Sequence, residues 1–292
     1  MKIQLAKIWR AILSSRLNAF SFFFLLFLII LSVAAPLFPF SPTATDVTNV
    51  WQGPSLSHWF GTDDLGRDYF IRVIYGGCVS LIVAISAMLA STLIGTLVGV
   101  LSGYFGGWVD NILMRLVEIL SSIPWLVLVI VLSVFLRPGL TTIIIVIGGF
   151  SWMGISRLIR AEILSVKNRE YVIYSEFIGE SRTKIILRHI IPNILPTLIV
   201  AATNSISSAI MTESALSFLG MGIQYPMSSW GSLLQNAQSS LQRAPHMAIL
   251  PGVFILLTIY SINNLSEVFK SYIQSLVVKS QDKVVKTLVN FQ

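Results

Sequence analysis

Six stretches of this sequence contain no charged residue, and each is close to the length of a helix that crosses a membrane. The hydrocarbon core of a bilayer requires roughly 20 helical residues. A helix satisfies its own backbone hydrogen bonds, so six spanning helices are the simplest interpretation. We therefore predict an all-α integral membrane protein with six transmembrane helices. The six apolar blocks are Phe20–Phe38, Cys78–Ser102, Ile119–Leu136, Leu140–Ser156, Ile194–Met211 and Met247–Ser266.

The composition agrees with a membrane protein, because only 11% of the residues are charged, against about a quarter in soluble proteins. No small-residue cleavage site follows the first apolar block, so we interpret this block as a retained span and not as a signal peptide. Cys78 is the only cysteine, which excludes an intramolecular disulfide and a cysteine metal cluster. His58, His189 and His246 are far apart in the sequence, and the predicted topology separates His189 from the other two. We therefore predict no metal site.

The positive charges predict the orientation of the chain in the membrane. If the N-terminus is cytoplasmic and six spans follow, sixteen Lys and Arg residues fall on the cytoplasmic side and four on the outside. This asymmetry follows the positive-inside rule and places both termini in the cytoplasm. We predict a cytoplasmic N-terminal segment (1–17), a first transmembrane helix (18–38), an extracytoplasmic loop with an interfacial helix (39–77), a five-helix core with a cytoplasmic loop at 157–192 (78–275), and a cytoplasmic tail (276–292).

The cytoplasmic segment Asn168–Asn193, "NREYVIYSEFIGESRTKIILRHIIPN", is unusually charged for this chain. We predict two short amphipathic helices with a bend at Gly179, an N-cap at Ser181, and a helix interruption at Pro192. Periodicity alone leaves two interpretations open, a projecting knob or an interfacial helix on anionic lipid. The predicted apolar stripes are Tyr171, Tyr174 and Ile178 before the bend, and Ile185, Ile186, His189 and Ile190 after it.

This segment resembles the cytoplasmic loop of ABC-transporter permease subunits, whose signature is Glu-Ala-Ala, three residues, Gly, and later a hydrophobic residue with Pro. Gly179 and Ile191-Pro192 match, although Ile173-Tyr174-Ser175 stands where the signature has Glu-Ala-Ala. "EYV" followed by "RHIIPN" has the form typical of the dipeptide, oligopeptide and nickel branch. In the family this loop docks into a groove on the ATP-hydrolysing subunit. The resemblance assigns to the ATPase-coupling loop Glu170, Tyr171, Val172, Tyr174, Ser175, Gly179, Ser181, Arg188 and Pro192.

Further stretches resemble the C-type permease of the same branch. "HWFGTDDLGRDYFIRVIYGG" (His58–Gly77) is similar to its outer loop, and "ESALSFLGMGIQYPMSSWG" (Glu213–Gly231) is similar to a second outer region. "GYFGGWVDNILMR" (Gly103–Arg115) fits as well, and the matches run in family order from about His58 to Gly252. The outer-loop and gate candidates are Gly61, Thr62, Asp63, Gly66, Arg67, Asp68, Asn204, Ser208 and Glu213.

The acidic residues of the outer loop have two interpretations. Asp63, Asp64 and Asp68 would suit a cation site, but the alternating oxygen ligands of a calcium loop are absent. We therefore favour a turn in which Asp63 caps a short following helix and Arg67 pairs locally. The aromatic neighbours are typical of a membrane interface, so we predict an interfacial helix packed against the partner permease or the outer gate.

Two features inside the spans also have alternative interpretations. Glu213 would lie near the translocation path with Asn204 and Ser208, or would make a structural hydrogen bond at a helix end. The glycine repeat from Gly95 to Gly107 favours close helix packing, which we expect to be intramolecular, although a subunit contact is possible.

The resemblance implies a type I ABC importer permease fold and a place in the bacterial cytoplasmic (inner) membrane. It implies a non-catalytic subunit of an ATP-driven importer, with peptides as the expected substrate. The implied partners are a homologous second permease, two cytoplasmic ATP-binding subunits, an extracytoplasmic substrate-binding protein and the lipid bilayer, but no nucleic acid. The chain has no Gly-x4-Gly-Lys-Ser/Thr phosphate loop, His-Glu-x2-His zinc motif or Gly-x-Ser-x-Gly nucleophile elbow, so we predict no cofactor.

Three alternatives remain open from the sequence. An ion-coupled secondary transporter would need ionisable groups near the membrane midplane, and the predicted spans have few. A non-transporting membrane scaffold agrees with the composition but not with the matched loops. A permease of the same branch would also be compatible with nickel, haem or antimicrobial peptides as cargo.

Overall fold

A computed structural model describes Trp9 and residues 11–38 and 41–289. Residues 1–8 and 10 of the predicted N-terminal segment lie outside the described residues, as do residues 290–292 of the predicted tail. In the described ranges the chain is helical, with one isolated bridge between Thr62 and Asp68 as its only β-type pairing. The helices are α1 (Arg16–Ala34), α2 (Tyr69–Phe105), α3 (Gly107–Ser121), α4 (Trp125–Phe135), α5 (Leu140–Phe150), α6 (Trp152–Lys167), α7 (Glu170–Phe177), α8 (Arg182–Ile185), α9 (Ile191–Phe218), α10 (Trp230–Ala237) and α11 (His246–Val289), with 3₁₀ turns at Ala35–Leu37 and Gln238–Ser240 and a π turn at Ile186–Ile190.

Five helical segments in the described part of the chain are long and apolar enough to cross a membrane, and they correspond to five of the six predicted blocks. The block Ile119–Leu136 differs, because it is divided between α3 and α4. Pro124 stands directly before α4; it lacks an N–H donor and restricts the residue before it. A sixth membrane crossing therefore remains a prediction. Two helices, α3 and α4, would have to form it together. The five segments are Arg16–Leu37, Tyr69–Phe105, Leu140–Lys167, Arg182–Phe218 and His246–Ile273.

The glycine repeat brings α2 and α6 into close contact. A Cβ atom on Gly95 would lie 2.8 Å from Cβ of Ile155, and a Cβ atom on Gly99 would lie 2.8 Å from Cβ of Ile159. Gly103 meets the next isoleucine of α6 in the same way. Only a residue without a side chain permits this approach. The prediction of intramolecular packing is confirmed for these three glycines.

A sharp turn at Gly106 and Gly107 ends α2. Gly106 has φ of +64° and Gly107 has φ of +53°, a backbone region that glycine adopts at little cost. The turn sends α3 away from α2, and Val117 is the one described α3 residue that is fully buried. The helix α3 is therefore peripheral to the rest of the fold.

Among the described residues, most of the buried apolar side chains belong to two clusters. The larger cluster includes Trp230 and Leu233 of α10 and connects α2, α9 and α11. The smaller cluster lies at the other end of α2 and includes Tyr104, together with Val172 and Ile190 from the charged loop. The loop is thus part of the packed core and not a loose connection.

Candidate functional site

The charged loop has the predicted helix–bend–helix form. Gly179 has φ of +80°, and its N–H donates to the carbonyl oxygen of Glu176 at 3.0 Å. The N–H of Glu180 donates to the carbonyl oxygen of Ser175, also at 3.0 Å. These two bonds form a Schellman motif, which needs a left-handed residue at the position of Gly179. Ser181 has the extended backbone of an N-cap, but its side chain makes no capping hydrogen bond.

The predicted helix interruption at Pro192 is wrong. Helical structure continues from Arg182 to Phe218, through the π turn and into α9. The N–H of Ile191 donates to the carbonyl oxygen of Ile186, five residues earlier. This wider turn directly precedes Pro192, and it accommodates a residue that has no N–H of its own.

The face of α7 that packs on the core differs from the predicted stripe. Val172 is fully buried, and Ser175 is 6% exposed, with its hydroxyl donating to the carbonyl oxygen of Tyr171 at 2.8 Å. Burial raises the pKa of the half-buried Tyr171 phenol. Tyr174 and Ile178, which the stripe grouped with Tyr171, are exposed instead.

An exposed apolar surface remains on the outer side of the loop, and we call it the loop patch. Phe177 is its most exposed member, at 89%. Exposed apolar surface of this kind marks interaction sites in proteins. Two predicted site residues, Glu170 in the first turn of α7 and Arg188 beyond the bend, are also exposed. The loop patch consists of Ile173, Tyr174, Phe177, Ile178 and Leu187.

Glu180 follows the bend directly and pairs with the helical segment after it. Its carboxylate accepts from Lys184 Nζ at 2.7 Å and contacts His189 Nε2 at 3.1 Å. The hydrogen bond from Lys184, followed by that from His189, lowers the pKa of Glu180. Across the bend, the Ser175 hydroxyl of α7 lies 3.4 Å from His189 Nε2, and this contact and the glycine turn join α7 to the following helix.

The loop is attached to the end of α2. The Tyr104 hydroxyl donates to Glu176 Oε1 at 3.4 Å, and Lys167 Nζ donates to the Tyr104 carbonyl oxygen at 2.7 Å. The Arg182 guanidinium lies 6.0 Å from the centre of the Phe105 ring. These contacts join the segments before and after the bend to one helix end.

A second set of side-chain hydrogen bonds lies near this attachment, and we call it the Asp110 clasp. Asp110 of α3 receives two hydrogen bonds from Arg160 of α6, both at 2.6 Å, and a third from the Ser102 hydroxyl. The hydrogen bond from Arg160 is the main reason that the pKa of Asp110 is lowered. The Asp110 clasp therefore joins the first turn of α3 to α2 and to α6, although the rest of α3 is peripheral.

The outer motif forms a compact turn around Asp63. The buried Asp63 carboxylate accepts from the backbone N–H groups of Leu65 and Arg67, at 2.9 and 3.0 Å. It also accepts from the Arg67 guanidinium at 2.7 Å and from Arg72 of α2. The predicted local pairing of Arg67 is present. Both carboxylate oxygens of Asp63 accept hydrogen bonds that hold the turn together.

The predicted short helix after Asp63 is absent from residues 41–68, and no separate interfacial helix occurs there. Asp68 caps α2 instead, and its carboxylate accepts from the Ile71 N–H at 3.0 Å. Gly61 and Gly66 have positive φ, and a Cβ atom on either would overlap a backbone carbonyl. Thr62 is the last of the predicted outer-loop residues, and its hydroxyl accepts from the Gln52 N–H at 2.8 Å. The contacts of these residues therefore stabilise the fold of the outer loop.

Glu213 is fully buried and organises the second outer motif. Its carboxyl group accepts from the Ser80 hydroxyl of α2 at 3.0 Å and from the Ser217 hydroxyl at 2.7 Å. Ser80 accepts in turn from the Trp230 N–H at 3.2 Å, and Ser217 accepts from the Ile223 N–H at 3.1 Å. The structural interpretation of Glu213 therefore agrees with its contacts, since Glu213 is enclosed by α2, α9 and the segment before α10.

Trp230 completes this region. Its ring is 1% exposed, and its indole N–H donates to the Val73 carbonyl oxygen at 3.0 Å. A Cβ atom on Gly77 would lie only 2.8 Å from the indole ring. In contrast, Asn204 and Ser208, the other two gate candidates, are exposed on α9.

Several of these residues were missed by the sequence analysis. Tyr104, Asp110 and Arg160 are polar residues at the ends of apolar blocks, where charge is ordinary and gives no signal of a partner. Ser80 lies inside an apolar block, and its contact with Glu213 joins residues 133 positions apart. No local pattern predicts such a contact.

Comparisons with known proteins agree with this architecture. A family model described as "binding-protein-dependent transport system inner membrane component" matches residues 95–278. A second, described as the N-terminal TM domain of oligopeptide transport permease C, matches residues 4–54. The dipeptide transport system permease protein DppC of Bacillus subtilis is 40% identical over 89% of this chain and 82% of its own length. The oligopeptide transport system permease protein OppC of Salmonella typhimurium is 43% identical over 82% of this chain and 80% of its own length.

A solved structure of the MetNI methionine ABC transporter in an inward-facing conformation contains a similar chain. That chain has a TM-score of 0.60 and 18% identity, with 69% of this chain and 95% of that chain covered. This similarity confirms the predicted type I ABC importer permease fold. Together with the sequence matches, it shows that this protein belongs to the binding-protein-dependent transport system inner membrane components, a family of multi-pass proteins of the bacterial inner membrane.

Proposed function

We propose that this protein is a transmembrane subunit of an ATP-driven peptide importer, in which it forms the translocation pathway together with a homologous second permease. Relatives named as dipeptide and oligopeptide permeases support this proposal, because they align with 89% and 82% of this chain. An extracytoplasmic binding protein delivers the peptide to the outer loops. Two cytoplasmic ATP-binding subunits hydrolyse ATP, and this subunit has no catalytic role.

The loop patch is the observation that carries the proposal. It presents Phe177, 89% exposed, on a helix–bend–helix that the Gly179 turn and the Ser175–His189 contact hold together. An amphipathic helix that lies in an apolar groove is a common way to join two protein chains. We assign the loop patch to one ATP-binding subunit, with the corresponding loop of the second permease binding the other.

ATP binding favours the closed pair of ATP-binding subunits and so shifts the permeases between inward-facing and outward-facing states. The loop must move with its ATPase for this shift to occur. Its attachment to α2 through Tyr104 and Lys167 supports such a role, because a displacement of the loop acts directly on a spanning helix.

Replacement of Phe177 by Ala tests the docking. A central aromatic residue of an interface contributes about 2 kcal/mol or more, so ATPase binding should weaken roughly thirtyfold. The measurements are the amount of ATPase that purifies with the permeases and the ATP-dependent uptake of a dipeptide into vesicles. Trp108→Ala is the matched control, since Trp108 is also an aromatic residue that is largely exposed, at 74%, but lies outside the loop. Normal ATPase binding and uptake in F177A would overturn the docking assignment.

A second experiment separates this proposal from ion-coupled transport. Dipeptide uptake is measured after ATP depletion with the proton gradient intact. We expect uptake to stop; uptake that continues on the gradient alone would favour a secondary transporter.

A further inference from the structure

The outer end of α11 contains a point at which the helix is weakened. Pro251 is the sixth residue of this helix, and Gly252 follows it. Pro removes one backbone hydrogen bond from a helix interior, and sharp helix bends commonly occur at Pro. Gly has a low helix propensity, and a Cβ atom on Gly252 would meet nothing within 4 Å, so close packing does not require glycine there. We therefore interpret the Pro-Gly pair as a hinge between His246–Leu250 and the rest of α11.

The hydrogen bond that Pro251 removes is replaced from another helix. Residue 251 has no N–H, so the carbonyl oxygen of Met247, four residues earlier, lacks its usual partner in the helix. The Tyr69 hydroxyl of α2 donates to this oxygen at 2.5 Å. Tyr69 and Met247 are 2% and 3% exposed, and a buried carbonyl group without a partner is costly. In membrane proteins, neighbouring helices commonly satisfy the backbone groups that Pro leaves free, and Tyr69 does so here.

The two sides of the hinge are held by different contacts. Beyond the hinge, the Phe254 ring packs against the rings of Trp230 and Phe24, with centres 6.0 and 6.4 Å apart. Before the hinge, Tyr69 makes the only side-chain hydrogen bond to His246–Leu250 among the residues that the structure describes. Aromatic packing therefore fixes the inner side to α10 and α1. Bending about the hinge would move the outer segment, and its hydrogen bond to α2 would have to break.

We propose that Tyr69 is a positioning residue that latches the outer end of α11 to α2. While its hydrogen bond to Met247 is formed, His246–Leu250 stays against α2. When the bond breaks, this segment bends away about Pro251 and Gly252. The inference rests on the proposed function, because it assigns this bending to the shift between inward-facing and outward-facing states. It adds a named contact that determines how readily the outer side of this subunit opens.

Cysteine labelling tests whether Tyr69 holds this segment. Ala244→Cys is made in a Cys78→Ser background, which has no other cysteine. The complete importer is reconstituted in vesicles with its outer face accessible and is treated with a water-soluble maleimide in the absence of ATP. Ala244 is 7% exposed and directly precedes the outer segment. Ala209→Cys is the matched control, because Ala209 of α9 is 2% exposed and belongs to the same core cluster.

We expect Tyr69→Phe to raise the labelling rate at position 244 about threefold to tenfold, because a buried hydrogen bond changes an opening equilibrium by roughly this factor. Labelling at position 209 should not change. Tyr260→Phe is the control for the loss of a phenol hydroxyl, since Tyr260 is 43% exposed and lies beyond the hinge. It should leave the labelling at position 244 unchanged. No rise at position 244 in Y69F, or an equal rise at positions 244 and 209, would overturn the latch.

Pro251→Ala provides the second half of the test. The N–H that this substitution restores at position 251 donates to the Met247 carbonyl oxygen, so the Tyr69 hydroxyl is no longer needed there. In the P251A background, Y69F should raise the labelling rate at position 244 by less than about twofold, because the two substitutions act on one carbonyl group. If Y69F has the same effect with Pro251 and with alanine, the phenol does not act through the proline and the proposal is wrong.

Uptake connects the latch to transport. ATP-dependent dipeptide uptake is compared between the unmodified importer and P251A. We expect P251A to lower the maximal uptake rate severalfold, because a stiffer α11 resists bending, while the amount of ATPase that purifies with the permeases stays the same. Unchanged uptake in P251A would exclude a role of the hinge in transport. If the unmodified importer takes up no dipeptide with ATP, the proposed function fails, and the labelling experiment still tests the latch because it requires no transport.

Discussion

Substitution of Gly179 offers a test in which backbone strain and steric volume can be separated. Gly179 has φ of +80°, and a Cβ atom placed on it would meet nothing within 4 Å. The cost of a side chain there arises from the left-handed backbone and not from a clash. For an ordinary L-residue this cost is about 1–2 kcal/mol. Asn tolerates the conformation better than Ala, and a β-branched residue tolerates it worst.

The series Asn, Ala, Val at position 179 should therefore reduce coupling in that order. A cost of about 1.4 kcal/mol lowers the population of the bent loop roughly tenfold relative to competing conformations. The assay compares peptide uptake with ATP hydrolysis in the reconstituted importer, and we expect the ratio of uptake to hydrolysis to fall from Asn to Val. Membrane insertion should be unchanged.

Gly106 provides a control outside the loop, because it has φ of +64° and also has no neighbour within 4 Å. The same three substitutions at Gly106 impose a larger strain at the turn between α2 and α3, because its ψ of −156° lies in a region that is essentially confined to glycine. They should lower stability without changing the ratio of uptake to hydrolysis. A coupling defect that follows side-chain volume at Gly179, with Asn worse than Ala, would refute the reasoning from backbone strain.

Three further predictions concern stability, measured by thermal unfolding in detergent. Asp110→Asn should cost about 1–3 kcal/mol, because it weakens the charged hydrogen bonds from Arg160. Because the pKa of Asp110 is lowered in the folded protein, the stability that its charged carboxylate contributes is present above the unfolded carboxyl pKa of about 3.9. This stability is lost as the pH falls through the folded pKa. Acidification below about pH 4 should therefore destabilise D110N less than the unmodified protein. Gly77→Ala should cost about 1–3 kcal/mol by overpacking against Trp230, and unchanged stability would contradict the 2.8 Å approach. Ser80→Ala should cost about 1–3 kcal/mol because it leaves the Trp230 backbone N–H without its acceptor, whereas Ser80→Cys, a weak acceptor, should recover part of the loss.

The features that the sequence predicted well are local. The bend at Gly179 depends on one residue that adopts a left-handed backbone cheaply, and the helix approach at Gly95 and Gly99 depends on a repeat along one face. Hydropathy found the long apolar helices because the bilayer imposes their length. Each of these signals lies within a few residues of the structure it predicts.

The predictions that failed required knowledge of distant contacts or of unusual backbone. The α7 helix has eight residues, too few for periodicity to fix its buried face, which its packing with Ile185 and Ile190 decides. Pro192 is normally a helix breaker, but a π turn precedes it. Similarly, a hydropathy window passes over the break before Pro124, because the residues on both sides are apolar.

The continuity of α2 constrains how the two membrane faces can move. Its 37 residues form a rod of about 55 Å at 1.5 Å per residue. One end is held by Asp63 and Trp230 and the other by Glu176 and Lys167. A rod of this kind acts as a lever, and if it pivots near its middle, a shift of about 3 Å at one end corresponds to a tilt of roughly 6°. The opposite end then moves by a similar distance in the other direction, so opening on one face would be geometrically tied to closing on the other.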